Sequence, residues 1–323
     1  MIRLALSYWR NTTCLEFDEP EDQPQASRII FTRMGWSCNS EVGKNYLMYT
    51  QFIYLPDFCF EMGTLVHEIS HALGFFHEHS RRDRDNYIQM HYENLHSNLS
   101  IPSDSFQKES FIDNHQIPYD YGSLMHYKTL LPKTNISELA LKAISTRISF
   151  HQKTIGQNDQ LSFYDVKLMN EVYCSDLCMT QLKCLHHGFS NPRDCSRCLC
   201  PDGFTGIYCE KVMPGVGDPC GGHISLGPRD AIYISSPKYP EKYRRGQECS
   251  WLLQTRSQKL VVNIKIVGPK FQTYCDMDHV LCMDYVEIRN SSADLANTGM
   301  RMVMASGLKL DQLIEIKVIM AHI

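Results

Sequence analysis

No stretch of this sequence approaches the roughly 18 consecutive apolar residues that a membrane-spanning helix needs. The best candidate, LVVNIKIVG from Leu260, has only the length of a strand. Basic runs are missing as well. The densest group, Arg81, Arg82 and Arg84, is interleaved with Asp83 and Asp85, and the formal charge is only −4. Nucleic acid therefore has no electrostatic footprint to meet, and neither a nucleic-acid partner nor a membrane span is expected. No internal repeat is visible. MIRLALSYWR reads as a poor signal peptide, with too short an apolar run and no small-residue cleavage site. The chain is thus expected to begin inside a domain, as a fragment or an incomplete gene product.

Cysteine is missing between Cys59 and Cys174, although the chain holds 14. Three, Cys14, Cys38 and Cys59, lie early, and eleven crowd between Cys174 and Cys282. An even number at close spacing points to a disulfide framework, which persists only in oxidising compartments. Four acceptor sequons for N-glycans, at Asn11, Asn98, Asn135 and Asn290, agree. A secreted, extracellular protein is expected. At 323 residues the chain is long enough for two or three domains.

Three regions separate on cysteine density and pattern. Residues 1–174 are cysteine-poor, 175–210 hold six cysteines after Cys174, and 220–323 alternate with period two. Residues 211–219, with VMPGVGDP, read as a Pro/Gly-rich linker. In the last region Leu260, Val262, Ile264 and Ile266 share one face, as do Val286 with Ile288, and Ile314 with Ile316 and Val318. Such alternation predicts half-buried strands in an all-β sandwich.

HEISHALGFFHEH, residues 67–79, carries four histidines and two glutamates. The spacing of Leu65, Val66, Ile69, Ala72, Leu73 and Phe76 predicts a helix over 61–76. His67 and His71, four apart, project from one face. Glu68 sits one residue round, placed to take a proton from metal-bound water, the general-base role in an H-E-x-x-H pattern. Gly74 can take the positive φ that ends a helix and so return His77 as a third nitrogen ligand. Three protein ligands leave a position open, as catalytic zinc requires. H-E-x-x-H alone is weak evidence; Gly74 and His77 at their offsets make it specific. His79 has no ligand spacing and is expected to be exposed. Met125, in YDYGSLMHY, supplies the methionine turn that metzincins place beneath the metal.

At these residues the chain resembles the astacin family of zinc metalloendopeptidases. HEISHALGFFHEHSRRDRDNY is similar to the family's extended signature, SLMHY to its Met-turn, and IGQNDQLSFYDVKLMNEVYC to its C-terminal helix and final cysteine. The resemblance covers residues 1–174 and implies an α+β metzincin catalytic domain with one Zn2+. It implies His67, His71, His77 and Tyr127 as metal ligands, with Glu68 as base. Tyr127 would leave the metal to stabilise the oxyanion. Pairings Cys14–Cys174 and Cys38–Cys59 follow from the same resemblance. The family has about thirty further N-terminal residues, including a strand, and a propeptide. Glu78 matches the glutamate that binds the freed N-terminus there, and no such partner stands in this sequence. Residues 128–150 depart from the family's short stretch after the Met-turn.

Cys178, Cys184, Cys195, Cys198, Cys200 and Cys209 are similar in spacing to an EGF-like module. Spacing alone leaves fifteen pairings open, and a zinc site on Cys195-x-x-Cys198 is a competing reading. The resemblance implies 178–195, 184–198 and 200–209. From Cys220 the chain resembles a CUB domain, with PCGG, SSPKYPEKY, CSW and CMDYVEIR. That implies Cys220–Cys249, while Cys275 substitutes for the missing partner of Cys282. Asp284 matches a CUB calcium ligand, but the other ligands of such a site do not place, and a plain strand-start aspartate is the preferred reading.

The order protease, EGF-like, CUB resembles multidomain astacins, the nematode-astacin type in particular. It implies a secreted endopeptidase acting on extended polypeptides, extracellular matrix or secreted proteins, with the EGF-like and CUB regions making protein contacts. The alternatives are a catalytically silent extracellular binding protein on the same scaffold, or an inactive fragment.

Overall fold

A computed structural model describes residues 1–19, 27–94, 106–110, 112–129, 142–257, 259–265, 275–276, 281–282, 284–289, 294–302 and 316–318. The chain divides into two compact units, Met1–Leu177 and Cys178–Ile323.

The first unit opens with α1 (Ile2–Thr12), whose Ala5 and Trp9, four apart on one face, are fully buried. Strands β1 (Arg28–Thr32), β2 (Asn39–Ser40) and β3 (Thr50–Tyr54) form a sheet in the order β1-β3-β2. β1 runs parallel to β3, with Ile30 opposite Phe52, and β2 runs antiparallel, with Ser40 opposite Ile53. Period-two alternation sends Gln51 and Ile53 inward and Phe52 outward.

Helix α2 (Met62–Ala72) buries Leu65, Val66, Ile69 and Ala72. It ends four residues before the expected Phe76, and the backbone shows why. Gly74 takes φ +103°, its N–H bonds the His71 carbonyl, and the Phe75 N–H reaches back to the Ser70 carbonyl. This is a Schellman closure, for which a residue without Cβ is suited. Phe75 then packs edge-on against Trp9 of α1, ring centroids 6.1 Å apart.

A short antiparallel ladder, β4 (Ile88–Met90) with β5 (Ile144–Thr146), sits on a cluster of Ile88, Phe106, Tyr119, Tyr121, Ala143, Ile144 and Ile155. Helix α3 (Phe163–Cys174) starts from a capping box. The Ser162 hydroxyl accepts the Asp165 N–H, and the Asp165 carboxylate accepts the Ser162 N–H. Disulfides Cys14–Cys174 and Cys38–Cys59 are both formed. The departure expected over 128–150 falls largely on residues 130–141, outside the described residues.

In the second unit β6 (Phe189–Asn191) pairs with β7 (Asp194–Leu199), and β8 (Phe204–Thr205) with β9 (Lys211–Val212). Disulfides 178–195, 184–198 and 200–209 close around a small core of Cys198, Phe204 and Cys209. With both Cys195 and Cys198 in bridges, the zinc reading of that pair falls away, because a bridged sulfur is no thiolate ligand. Residues 211–219, read from composition as a linker, carry structure: Lys211 and Val212 are in β9, and Val216 bridges Glu248.

The β region has β10 (Gly222–Leu226), β11 (Trp251–Thr255), β12 (Val262–Ile264), β13 (Cys275–Asp276), β14 (Leu281–Cys282), β15 (Val286–Ile288), β16 (Met300–Met302) and β17 (Ile316–Val318). They pair as 10–11, 12–17, 13–14 and 15–16, the first parallel and the others antiparallel. Leu226, Leu253, Val262, Ile288 and Met300 form its core. Alternation places Val286 inward with Ile288, but Val286 is 41% exposed while Ile288 is buried. A three-residue ladder gives the strand's first position too little covering. Cys220–Cys249 is bridged. Cys275 and Cys282 are backbone partners across the 13–14 ladder, and their side chains lie outside the described residues. Arg289 joins the cysteine-rich segment to the β region, donating to the Asp202 and Leu295 carbonyls and to Glu287.

Candidate active site

Helix α2 presents His67 and His71 one turn apart, and the turn at Gly74 brings His77 to them. The Nε2 atoms of His67 and His71 lie 3.3 and 3.1 Å from that of His77. The three donor atoms fall within 4.8 Å of one another. Neither α2 ring needs its other nitrogen for this. His67 Nδ1–H donates to the Leu124 carbonyl at 2.9 Å, and His71 Nδ1–H donates to the Phe75 carbonyl at 2.7 Å. With Nδ1 protonated, each neutral imidazole turns an Nε2 lone pair toward the common point. Burial pushes all three pKa values down, His71 to about 3, and the neighbouring histidines add to the effect at His71 and His77. Neutral, convergent imidazoles are a ligand set for zinc.

Glu68 is 5% exposed, and burial raises its pKa to about 7. Among the described residues its buried Oε2 has no hydrogen-bond partner. An acceptor left so, directly after His67, is costly unless a water or substrate proton meets it. The residues therefore fit a zinc ion and a proton-accepting carboxylate.

The Met-turn closes the site from the other side. The Ser123 N–H bonds the Asp120 carbonyl, and the His126 N–H bonds the Ser123 carbonyl. Met125 is 1% exposed. The Glu78 N–H donates to the Met125 carbonyl at 3.0 Å, so the turn holds the segment that carries His77. The Tyr127 ring packs against His77 and His79, centroids 4.2 Å from each. The structure thus brings Tyr127, the turn at Met125 and the three histidines into one place, with Glu68 next to His67 on α2.

His79 differs from its expectation. It is fully buried, because the 3-10 turn Glu78–Ser80 carries it inward between His77, Phe106, His126 and Tyr127. Glu78 Oε1, read without an N-terminal partner, accepts from Arg81 at 3.1 Å and from the Asp120 N–H at 2.8 Å. Burial nonetheless raises its pKa to about 8.

Other supporting residues carried no chemical motif of their own. Arg84, inside the R-x-D-R-D run, is buried and donates to the His79 and Phe106 carbonyls and to the Tyr92 hydroxyl. Tyr119 Oη and His126 Nε2 are 2.7 Å apart, and His126 Nδ1 lies 2.8 Å from the Tyr127 carbonyl. Asp165 accepts from the Ser123 hydroxyl and the Leu124 N–H. Its signal was Ser162-x-x-Asp165, a capping box pattern that speaks only of a helix start.

Among the remaining sequence candidates, Asn11 is exposed near the end of α1, whereas Asn98, Asn135 and Asn290 lie outside the described residues. Asp284 accepts a hydrogen bond from the Tyr243 hydroxyl at 2.6 Å.

The peptidase family described as Astacin matches residues 1–174, and the CUB domain matches residues 220–304. The chain is 48% identical over 303 residues to zinc metalloproteinase dpy-31 of Caenorhabditis elegans, covering 93% of this chain and 49% of that protein. It is 39% identical over 299 residues to zinc metalloproteinase nas-36 of the same organism, covering 92% and 46%. The chain thus spans about half the length of the curated relatives it matches. Among solved structures, high choriolytic enzyme 1, a hatching enzyme zinc-protease from Oryzias latipes, shares 28% identity with a TM-score of 0.46, over 53% of this chain and 80% of that one.

Proposed function

Because this chain belongs to the astacin family of peptidases and carries a CUB domain, we propose that it is a zinc-dependent endopeptidase cutting extended polypeptides at the His67–His71–His77 centre. The observation that carries the reading is the pairing of three convergent imidazole nitrogens with the orphaned buried Oε2 of Glu68.

His67, His71 and His77 would hold the zinc, with Tyr127 beside His77 as a further ligand. Bound zinc supplies a Lewis acid that polarises the scissile carbonyl and makes water a stronger acid. Glu68 accepts the proton of the attacking water and passes it to the leaving amine. Burial raises the pKa of Glu68, and a zinc ion held by the neighbouring histidines would oppose that rise. Tyr127 turns its phenol to the charge developing on the carbonyl oxygen.

Six disulfides among the described residues support an oxidising, extracellular setting. Among the described residues no helix is long and apolar enough to cross a membrane. Secreted or matrix proteins are the substrates in this reading, held in part by the cysteine-rich and CUB regions.

Cleavage of a mixed quenched-fluorescent peptide library tests it. The zinc-loaded chain should cleave, and a chelator should abolish cleavage. Glu68→Gln should lower the rate about 10²–10⁴-fold with zinc still bound. A folded, zinc-loaded chain that cleaves nothing would overturn the peptidase reading in favour of a binding scaffold.

A further inference from the structure

We propose that Asp165, on α3, is a positioning residue for the metal centre, acting through Ser123 and the Leu124–Met125 peptide to fix how His67 faces the metal. The inference rests on the reading that His67, His71 and His77 hold zinc.

The two α2 histidines are oriented by different means. His71 donates to Phe75, four residues on, so its acceptor comes with the helix end. His67 donates to Leu124, 57 residues away, so its tautomer and ring angle depend on a tertiary contact. Whatever holds the Leu124 carbonyl therefore holds His67.

Asp165 holds it on both sides. Its Oδ2 accepts the Leu124 N–H at 2.8 Å, anchoring one side of that residue's Cα. Its Oδ1 accepts the Ser123 hydroxyl at 2.6 Å, and the Ser123 Oγ in turn accepts the Met125 N–H at 3.0 Å. The Met125 N–H and the Leu124 carbonyl belong to one peptide group. A continuous line of hydrogen bonds thus runs from the Asp165 carboxylate through the Ser123 hydroxyl and this peptide to His67 Nδ1. Each donor along the line is polarised by the next acceptor, and negative charge at its far end makes the carbonyl a better acceptor for Nδ1–H. The result resembles a carboxylate behind a metal-bound histidine, here with a peptide and a hydroxyl interposed.

Asp165 is 6% exposed, and a third donor, the Ser162 N–H, fixes its rotamer at 3.0 Å. Helix capping alone would need only that Ser162 contact. The contacts to Ser123 and Leu124 lie 42 and 41 residues away and contribute nothing to the cap.

The test is zinc affinity of the full chain by competition with a fluorescent chelator, in Asp165→Ala, Ser123→Ala and Ser162→Ala. Asp165→Ala should weaken zinc binding about 10–100-fold, the range for loss of an outer-shell partner. Ser123→Ala, which cuts the line but leaves the Leu124 N–H anchored, should weaken it less, by several-fold. Ser162→Ala opens the same capping box and should leave affinity unchanged. In the zinc-loaded protein the His67 Nδ1–H proton, seen by NMR, should exchange with water faster in Asp165→Ala, a signature that loss of helix stability would not confine to one ring. Folded Asp165→Ala with zinc affinity within about threefold of wild type would overturn the proposal, given the roughly 10-fold minimum expected. Should Asp165→Ala not fold, Ser123→Ala decides alone, and unchanged affinity there overturns it. A wild-type chain that takes up no zinc overturns the zinc reading and this proposal with it.

Discussion

The backbone N–H of Glu78 donates to the carbonyl of Met125 at 3.0 Å. One residue before Glu78 stands His77, and two residues after Met125 stands Tyr127, whose rings lie 4.2 Å apart. This single peptide contact sets the distance between the third histidine and the tyrosine. Because His67 is tied to Leu124 in the same turn, the Met-turn positions both ends of the histidine set while contributing none of its nitrogen ligands.

Tyr127→Phe isolates the phenol from its ring. The ring packing against His77 and His79 is kept and the three histidines remain, so with zinc in excess the site should stay loaded despite the lost phenol ligand. The cleavage rate should fall about 10²-fold if the phenol stabilises developing charge, in the range for loss of one oxyanion donor. Turnover measured on zinc-saturated protein gives the answer; a rate equal to wild type would remove Tyr127 from the reaction.

Gly74→Ala tests the helix stop. Among the described residues a Cβ there would meet Gly43 Cα at 4.0 Å without a clash, and the cost comes from φ +103°. About 1–3 kcal/mol of destabilisation is expected, together with weaker zinc binding as His77 shifts. Calorimetry of the zinc-loaded chain checks the first effect and chelator competition the second. An unchanged melting temperature would mean the turn adopts another form.

Cys14→Ser with Cys174→Ser tests the long clamp between the ends of α1 and α3. The bridge spans 160 residues of sequence, and removing it should cost about 3–5 kcal/mol in the first unit. Calorimetry should show one transition moving down while that of Cys178–Ile323 stays in place. Equal movement of both would contradict the division into two units.

Stability should carry an Asp165 signature in pH. Burial pushes this carboxyl up to about 6, with the Ser123 hydroxyl pulling the other way and Asp120 adding to the rise. The folded state thus holds the proton more tightly than the unfolded chain. Its contribution is undiminished below about pH 4 and is lost as pH rises through about 6, about 3 kcal/mol in all. Asp165→Asn should lack that slope. The difference between urea-derived stabilities of wild type and variant at pH 4 and pH 6.5 measures it, and a flat difference would show that the carboxyl ionises in the fold as it does in the open chain.

Much of the chemistry was legible in the residues. His67, Glu68, His71, Gly74 and His77 are local in sequence, and helical periodicity with one positive-φ glycine is enough to make them converge. The six described disulfides match the pairings that the family and module resemblances implied, where spacing alone left many open. Burial of His79 was not legible, because a residue two past His77 faces inward or outward according to what covers it. Phe106 and Tyr127, which cover it, come from distant segments. Structure in residues 211–219 was hidden for a related reason. Gly and Pro mark a turn-rich stretch, and whether Val216 also pairs with Glu248 depends on a segment about thirty residues away.

By itself, then, the sequence determined the histidine pair on one helical face, the glutamate beside it and the stop that returns the third ring. All of these follow from backbone geometry over about a dozen residues. Only the tertiary structure decided which nitrogen each ring presents, how far burial shifts Glu68, and what holds Leu124 in place. Those depend on desolvation and on hydrogen bonds between segments far apart in sequence, as between Asp165 and Leu124, and such contacts exist only once the chain has packed.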